Sequence, residues 1–172
     1  MAKDTITTIM ERRSIRRYQS KPIPEEDIHT ILEAGRQAPS AANRQPWHFV
    51  VVRDPEIRRR TAEACSGQMW MADAALIIAA VGQLQVSEKW YRVDVAIAVQ
   101  NMVLTAHSLG YGTCWIGAFD EAKVKQILGV PPELSVVCLT PVGVPDTSPG
   151  PKPRKPISDI FSLDRFGEPY EI

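Results

Sequence analysis

Apolar and polar positions alternate with two periods along this chain, and the changes between them mark out its elements. Asp4 can cap a short helix in which Ile6, Ile9 and Met10 share one face, a pattern that fades at the arginines beginning with Arg12. In "PIPEEDIHTILEAGRQAP", Pro24 stands at a helix start and acids fill the first turn. Ile28, Ile31 and Leu32 form its stripe, and Pro39 ends it. "HFVVV" (48–52) and "ALIIAAV" (75–81) are branched runs of strand length that read as interior strands, with a helix between them from Asp54 to Cys65. The segment from Lys89 to Leu109 is apolar nearly all round and stops at "GYG", the pattern of a helix buried at the centre of the fold. Asp94, Gln100 and Asn101 inside it then need partners. "TCWIG" reads as a strand, "DEAKVKQILG" as a capped helix stopped by Gly129, and "SVVCLTPVGV" as a longer strand. Four strands and five helices result, and their alternation alone suggests a parallel α/β sheet.

Composition narrows the classes. A chain of 172 residues suits one domain with a sizeable core. Its 20 basic and 20 acidic residues leave no global field for nucleic acid or anionic lipid, so charge must act locally. The longest apolar run, "AALIIAAVG" from Ala74, is about half of the ~20 residues a membrane span needs, and the amino terminus lacks a signal-peptide core. A soluble, cytoplasmic protein with no membrane partner is expected. Cys65, Cys114 and Cys138, odd in number and without CxxC spacing, fit neither a disulfide framework nor a metal site and read as buried thiols. Six of the 14 prolines fall between Pro141 and Pro156, which makes the tail extended and far-reaching; it carries Lys152, Arg154 and Lys155.

Motifs for dinucleotide, P-loop, zinc-protease and nucleophile-elbow sites are missing. His29 reads as a helix-surface residue, and His48 and His107 as satisfied interior groups, so no nucleophile and base are paired. A chemistry carried by a cofactor becomes attractive. The charge worth explaining is "RRSIRR", residues 12–17. If this stretch runs extended, Arg12, Ser14 and Arg16 share one face, and two guanidiniums with a hydroxyl suit a phosphate. One such contact at ~4 Å and an effective dielectric near 20 is of the order of 4 kcal/mol before desolvation. A solvated turn pairing with Glu11, Glu25 and Glu26 accounts for the same residues, and this stretch alone does not choose. A second constellation, "APSAANRQPWHF" (38–49), gathers small polar groups before a strand, where heterocycle edges can bind.

"RRSIRRY", "APSAANRQPWHF", "GYGTCWIGAFDEAKVKQILGVP", "VGVP" and "KPRKP", in that order over nearly the whole chain, resemble the nitroreductase family of FMN-dependent oxidoreductases. The resemblance implies an α+β, three-layer fold with a mainly antiparallel central sheet flanked by helices, which takes precedence over the parallel arrangement. It also implies a domain-intertwined homodimer with FMN at its interface. Residues 1–172 would form a single FMN-binding domain whose Pro-rich arm, 145–172, reaches over the partner. Carried over by position, Arg12, Arg13, Ser14 and Arg16 match the residues that hold the phosphate, ribityl chain and N1/O2 edge of FMN. Lys152 and Arg154 match a late basic pair closing over the phosphate. Pro39, Ser40, Asn43 and Gln45 match positions lining the isoalloxazine, often from the other subunit. Ile116 and Gly117 match the strand end whose amide approaches flavin N5, and Gln68 either reaches the pyrimidine edge or makes a simple turn. Arg16 and Gly117 are the expected catalytic residues, and Arg17 is left over as a structural ion pair.

The resemblance further implies ping-pong transfer from NAD(P)H through FMN to a nitroaromatic, a quinone or a related small acceptor. Two alternatives stay open: a specialised flavin enzyme on this scaffold, such as a reductive dehalogenase or a flavin-consuming type, and a non-enzymatic flavin- or anion-binding module. Only "GQLQVSEKWYR" bridges the second strand and the long helix, so the pocket is expected to be open. Met69, Trp70, Met71, Trp90, Tyr91 and Phe119 lie near it in sequence, with core packing the default role for each.

Overall fold

A computed structural model describes residues 3–170. Five α-helices and four strands appear in the expected order: α1 (Thr5–Glu11), α2 (Glu25–Arg36), β1 (Trp47–Val52), α3 (Pro55–Ala64), β2 (Leu76–Gly82), α4 (Tyr91–Ser108), β3 (Gly112–Thr113), α5 (Glu121–Leu128) and β4 (Ser135–Gly143). The predicted caps form. Asp4, Asp54 and Asp120 accept from the amides of Thr7, Ile57 and Lys123 at 3.0, 2.9 and 3.1 Å. Gly129 closes α5 at φ 67°, a left-handed turn that glycine takes without a Cβ penalty.

The sheet has the order β1-β2-β4-β3, and every pair is antiparallel. Alternation of helices and strands therefore misleads about strand direction, because short apolar runs carry no directional signal. β2 is buried along its whole length and splits its side chains between two layers. Leu76, Ile78 and Ala80 face α2 and α4, packing with Met102, Val99 and Val103. Ile77 and Ala79 face α3 and α5, packing with Ala62, Ala64 and Val124. Each large side chain so buried contributes ~1.5–3 kcal/mol. Helices α2 and α4 approach closely where α2 has Gly35: a Cβ there would lie 2.3 Å from Met102 Cε.

Four expectations change. β1 is an edge strand and only half-buried, not interior, and His48 on it is exposed rather than satisfied inside. "TCWIG" pairs as β3 only at Thr113 and again through an isolated bridge from Ile116 to Leu139, so the run is broken at Cys114 and Trp115. Ile6, Ile9 and Met10 point outward, and Thr8 is the buried residue of α1. α4 is not covered on all sides: Val93, Ile97 and Trp115 remain exposed beside Gln100. All three cysteines are free and buried, and burial pushes the Cys65 and Cys138 thiols up to about 12. Among the described residues no helix is long and apolar enough to cross a membrane.

Candidate functional site

The arginine stretch is extended because α1 ends there and a strand edge receives it. Arg12 turns the chain out of the helix at φ −53° and ψ 134°, its amide donating to Thr8 O at 3.1 Å. Ser14 then bridges Thr113 in parallel, and the Ile15 amide donates to Thr113 O at 2.9 Å. Ile15 is buried over Gly112, where a Cβ would lie 2.7 Å from its Cγ1, so only glycine lets the stretch come this close. With Ile15 fixed inward, Arg16 faces solvent.

The arginines then divide. Arg13 Nη1 donates to the carbonyls of Met10 and Arg12 at 2.8 and 2.9 Å, which ties it to the C-terminal end of α1. Arg17 pairs with Asp146 at 3.1 Å, as expected. Arg12 Nη1 is buried with no hydrogen-bond partner among the described residues, a state that is costly unless an anion meets it. The solvated-turn account fails at its partners, since Glu11 pairs with Lys3 at 2.6 Å and Glu25 with Arg53 at 2.5 Å. Burial pushes the Cys114 thiol up while Arg16, Ser14 and Arg12 pull it down, so this cluster projects its field onto the chain just before Ile116.

At that strand end the two expected residues differ. The Ile116 amide is spent on Leu139 O at 2.9 Å. The Gly117 amide has no partner among the described residues, and beyond its two chain neighbours no atom lies within 4 Å of the position a Cβ would take there. Gly117 is thus an open donor. Gln68 sits beside it: its side-chain Nε2 donates to Cys65 O at 2.9 Å and to Ala118 O at 3.4 Å. Ser66 (φ 57°) and Gly67 (φ 69°) make the tight turn that brings it there.

The loop before β1 is strained. Ala42, Asn43 and Gln45 all take positive φ, 51°, 54° and 51°. Ser40 Oγ accepts from the Gln45 amide at 2.9 Å, and Gln45 Nε2 donates to Asn43 O and Oδ1 at 3.2 and 3.3 Å, while Pro39, Asn43 and Gln45 are exposed. From the body of the fold, Asp94 Oδ1 on α4 accepts from the Ala41 amide at 3.1 Å. Sequence offers no glycine to signal this loop's conformation. Of the other polar residues of α4, Asn101 donates to Ala34 O at 3.2 Å and Gln100 accepts from Trp115 Nε1 at 3.3 Å, whereas His107, expected to be satisfied inside, has a buried Nε2 without a partner among the described residues.

The two constellations stand at opposite corners of the sheet. The loop leads into Trp47, which pairs with Gly82 on one outer strand, while Ser14 joins Thr113 on the other, opposite Val142. Three strand spacings, ~14 Å, separate the edges, and Ser135 to Val142 along β4 adds ~20 Å. Lys152 and Arg154 are exposed, and among the described residues Arg154 donates only to the carbonyls of Lys152 and Pro153, at 3.2 and 3.3 Å.

Residues 9–91 and 70–144 match the profile of the Nitroreductase family. An NADH dehydrogenase of Thermus thermophilus is 30% identical over 194 residues, covering 91% of this chain and 94% of its own. Among solved structures, a nitroreductase family protein from Clostridium novyi shares 32% identity, covers 98% of this chain and 97% of its own, and superposes with a TM-score of 0.80. The NADPH:FMN oxidoreductase of Vibrio harveyi, solved with NAD+, shares 30% identity over 95% of this chain and 78% of its own, with a TM-score of 0.88.

Proposed function

This chain belongs to the nitroreductase family and is an FMN-dependent NAD(P)H oxidoreductase, and from that premise we propose which of its residues hold the cofactor and how two chains share it. The carrying observation is the buried, unpartnered Nη1 of Arg12. A phosphate satisfies that donor, so the cluster fits FMN. When bound, FMN would supply the redox chemistry, hydride transfer from NAD(P)H and electron delivery to an acceptor.

Arg12, with Ser14, binds the phosphate end, and Lys152 and Arg154 close over it. Arg16, which no carboxylate neutralises among the described residues, places positive charge at the N1/O2 edge. Arg13 shapes the site by holding the end of α1. The Gly117 amide donates toward N5, Ile116 anchors that strand end to β4, and Gln68 borders the same opening. Pro39, Ser40, Asn43 and Gln45 line the ring from a second copy, because one chain holds its own loop and its own arginines at opposite corners of the sheet. The exposed apolar residues of α4 and of the arm give that copy a surface to cover. The protein is therefore a homodimer in which residues 145–172 reach over the partner, acting on nitroaromatics, quinones or related small acceptors.

Purification tests this directly. The protein is expected to be yellow, or to turn yellow with added FMN, and to bleach under NADH or NADPH without oxygen. A colourless protein that ignores FMN overturns the reading, and bound flavin that resists both nicotinamides leaves only a binding module. A panel of acceptors then ranks the substrates.

A further inference from the structure

The strained loop needs an anchor, and α4 carries one. Three consecutive-turn residues without glycine at positive φ, Ala42, Asn43 and Gln45, are disfavoured in isolation and persist where surrounding structure over-determines them. Most of the loop's own hydrogen bonds run inside it, from Ser40 to Gln45. The bond from the Ala41 amide to Asp94 Oδ1 comes instead from the helix layer. Asp94 is 2% exposed, and its second oxygen, Oδ2, is buried without a partner. A carboxylate in that position is costly to bury, which a merely space-filling residue would avoid. It sits in the first turn of an 18-residue helix, about 20 Å along the axis from His107, whose surroundings include Arg12 and Arg13.

We propose that Asp94 is a positioning residue for FMN: it pins Ala41 so that the strained loop presents Ser40, Asn43 and Gln45 in one conformation to the flavin ring. This rests on the assignment of the loop to the ring made above. The role is distinct from that of the arginines, which bind charge, because Asp94 acts only through the loop.

The expected signature is rescue. In the full-length protein, Asp94→Ala weakens FMN binding about tenfold, the loss of one charge-assisted buried hydrogen bond. It also speeds amide exchange at Ala41 by a similar factor while leaving exchange in β2 unchanged. Ala42→Gly makes the left-handed turn easier and restores about fivefold of the lost affinity in the double variant. Asp94→Asn keeps an acceptor at Oδ1 and is expected to lose less than Asp94→Ala, which guards against a variant that simply folds badly. Equal loss in Asp94→Ala and Asp94→Asn without rescue by Ala42→Gly, or unchanged exchange at Ala41, overturns the proposal. Exchange is read with and without FMN, so a wild-type protein that ignores FMN but whose loop loosens in Asp94→Ala removes the flavin assignment separately from the anchor.

Discussion

The molecule has two basic segments that the proposed site assigns to one anion, and they are built in opposite ways. Residues 12–17 are stitched down: Ile15 is buried, its amide donates to Thr113, its carbonyl accepts from the Tyr18 hydroxyl at 2.9 Å, and the Gln19 amide donates to Val144 O at 2.9 Å. Residues 152–155 are carried on an arm that is exposed from Pro151 through Tyr170 and leaves Phe166 fully open and Phe161, Ile160 and Leu163 more than half so. A charge fixed by the fold is preorganised, and ordering its site adds little cost on binding. A charge on an uncovered arm acts only once something else orders it, and each apolar side chain on that arm gains ~1.5–3 kcal/mol when covered. The first segment is ordered within the chain, and the second awaits whatever covers the arm.

Cutting the arm strains this comparison most. Deleting residues 147–172 is expected to leave the sheet intact, abolish the dimer in light scattering, and weaken FMN binding by about 100-fold, ~2.7 kcal/mol. A truncated protein that stays dimeric and holds FMN as tightly as before would make the arm an ornament. The next largest effect comes from the fixed segment. Arg12→Ala is expected to cost ~2 kcal/mol, about 30-fold in FMN affinity, since it removes the donor that finds no partner among the described residues. Arg16→Ala should weaken binding comparably and, unlike Arg12→Ala, also slow flavin reduction by NAD(P)H at saturating FMN, as stopped-flow absorbance would show. Unaltered reduction in Arg16→Ala removes its catalytic role and leaves a phosphate ligand.

The difference between the segments also marks what the amino-acid order revealed. Caps, helix stops and the buried β2 were readable, because an Asp before a helix, a Gly after it and an unbroken branched run each act over a few neighbouring residues. Strand direction was readable only through the family resemblance, which gave the antiparallel sheet, and the edge position of β1 was not readable at all, since pairing is decided by partners far along the chain. Arg17 was set apart as an ion pair, as its bond to Asp146 shows, yet the division of Arg12, left open, from Arg13, spent on helix carbonyls, depends on contacts that residue type does not encode. Gly117 was singled out over Ile116 only through the family resemblance, and pairing with Leu139 supplies the physical reason: it separates the free amide from the occupied one. The loop at Ala42 was legible as polar and proline-bounded, but its positive φ values occur without a glycine to announce them.

Arg17 supplies the smallest expected effect and the cleanest control, because it shares sequence, charge and neighbours with the residues that matter. Its pair with Asp146 lies in solvent, the two side chains being 71% and 42% exposed, which places it among ion pairs worth ~0.5 kcal/mol or less. That corresponds to a melting shift of about 2 °C or less in a domain of this size. Arg17→Ala should therefore leave FMN affinity within about twofold, and added salt should erase what difference remains. If affinity falls more than tenfold instead, the division of the cluster is wrong: the extended stretch would present both of its faces to the anion, and the distinction between fixed and conditional charge would have to be drawn inside residues 12–17.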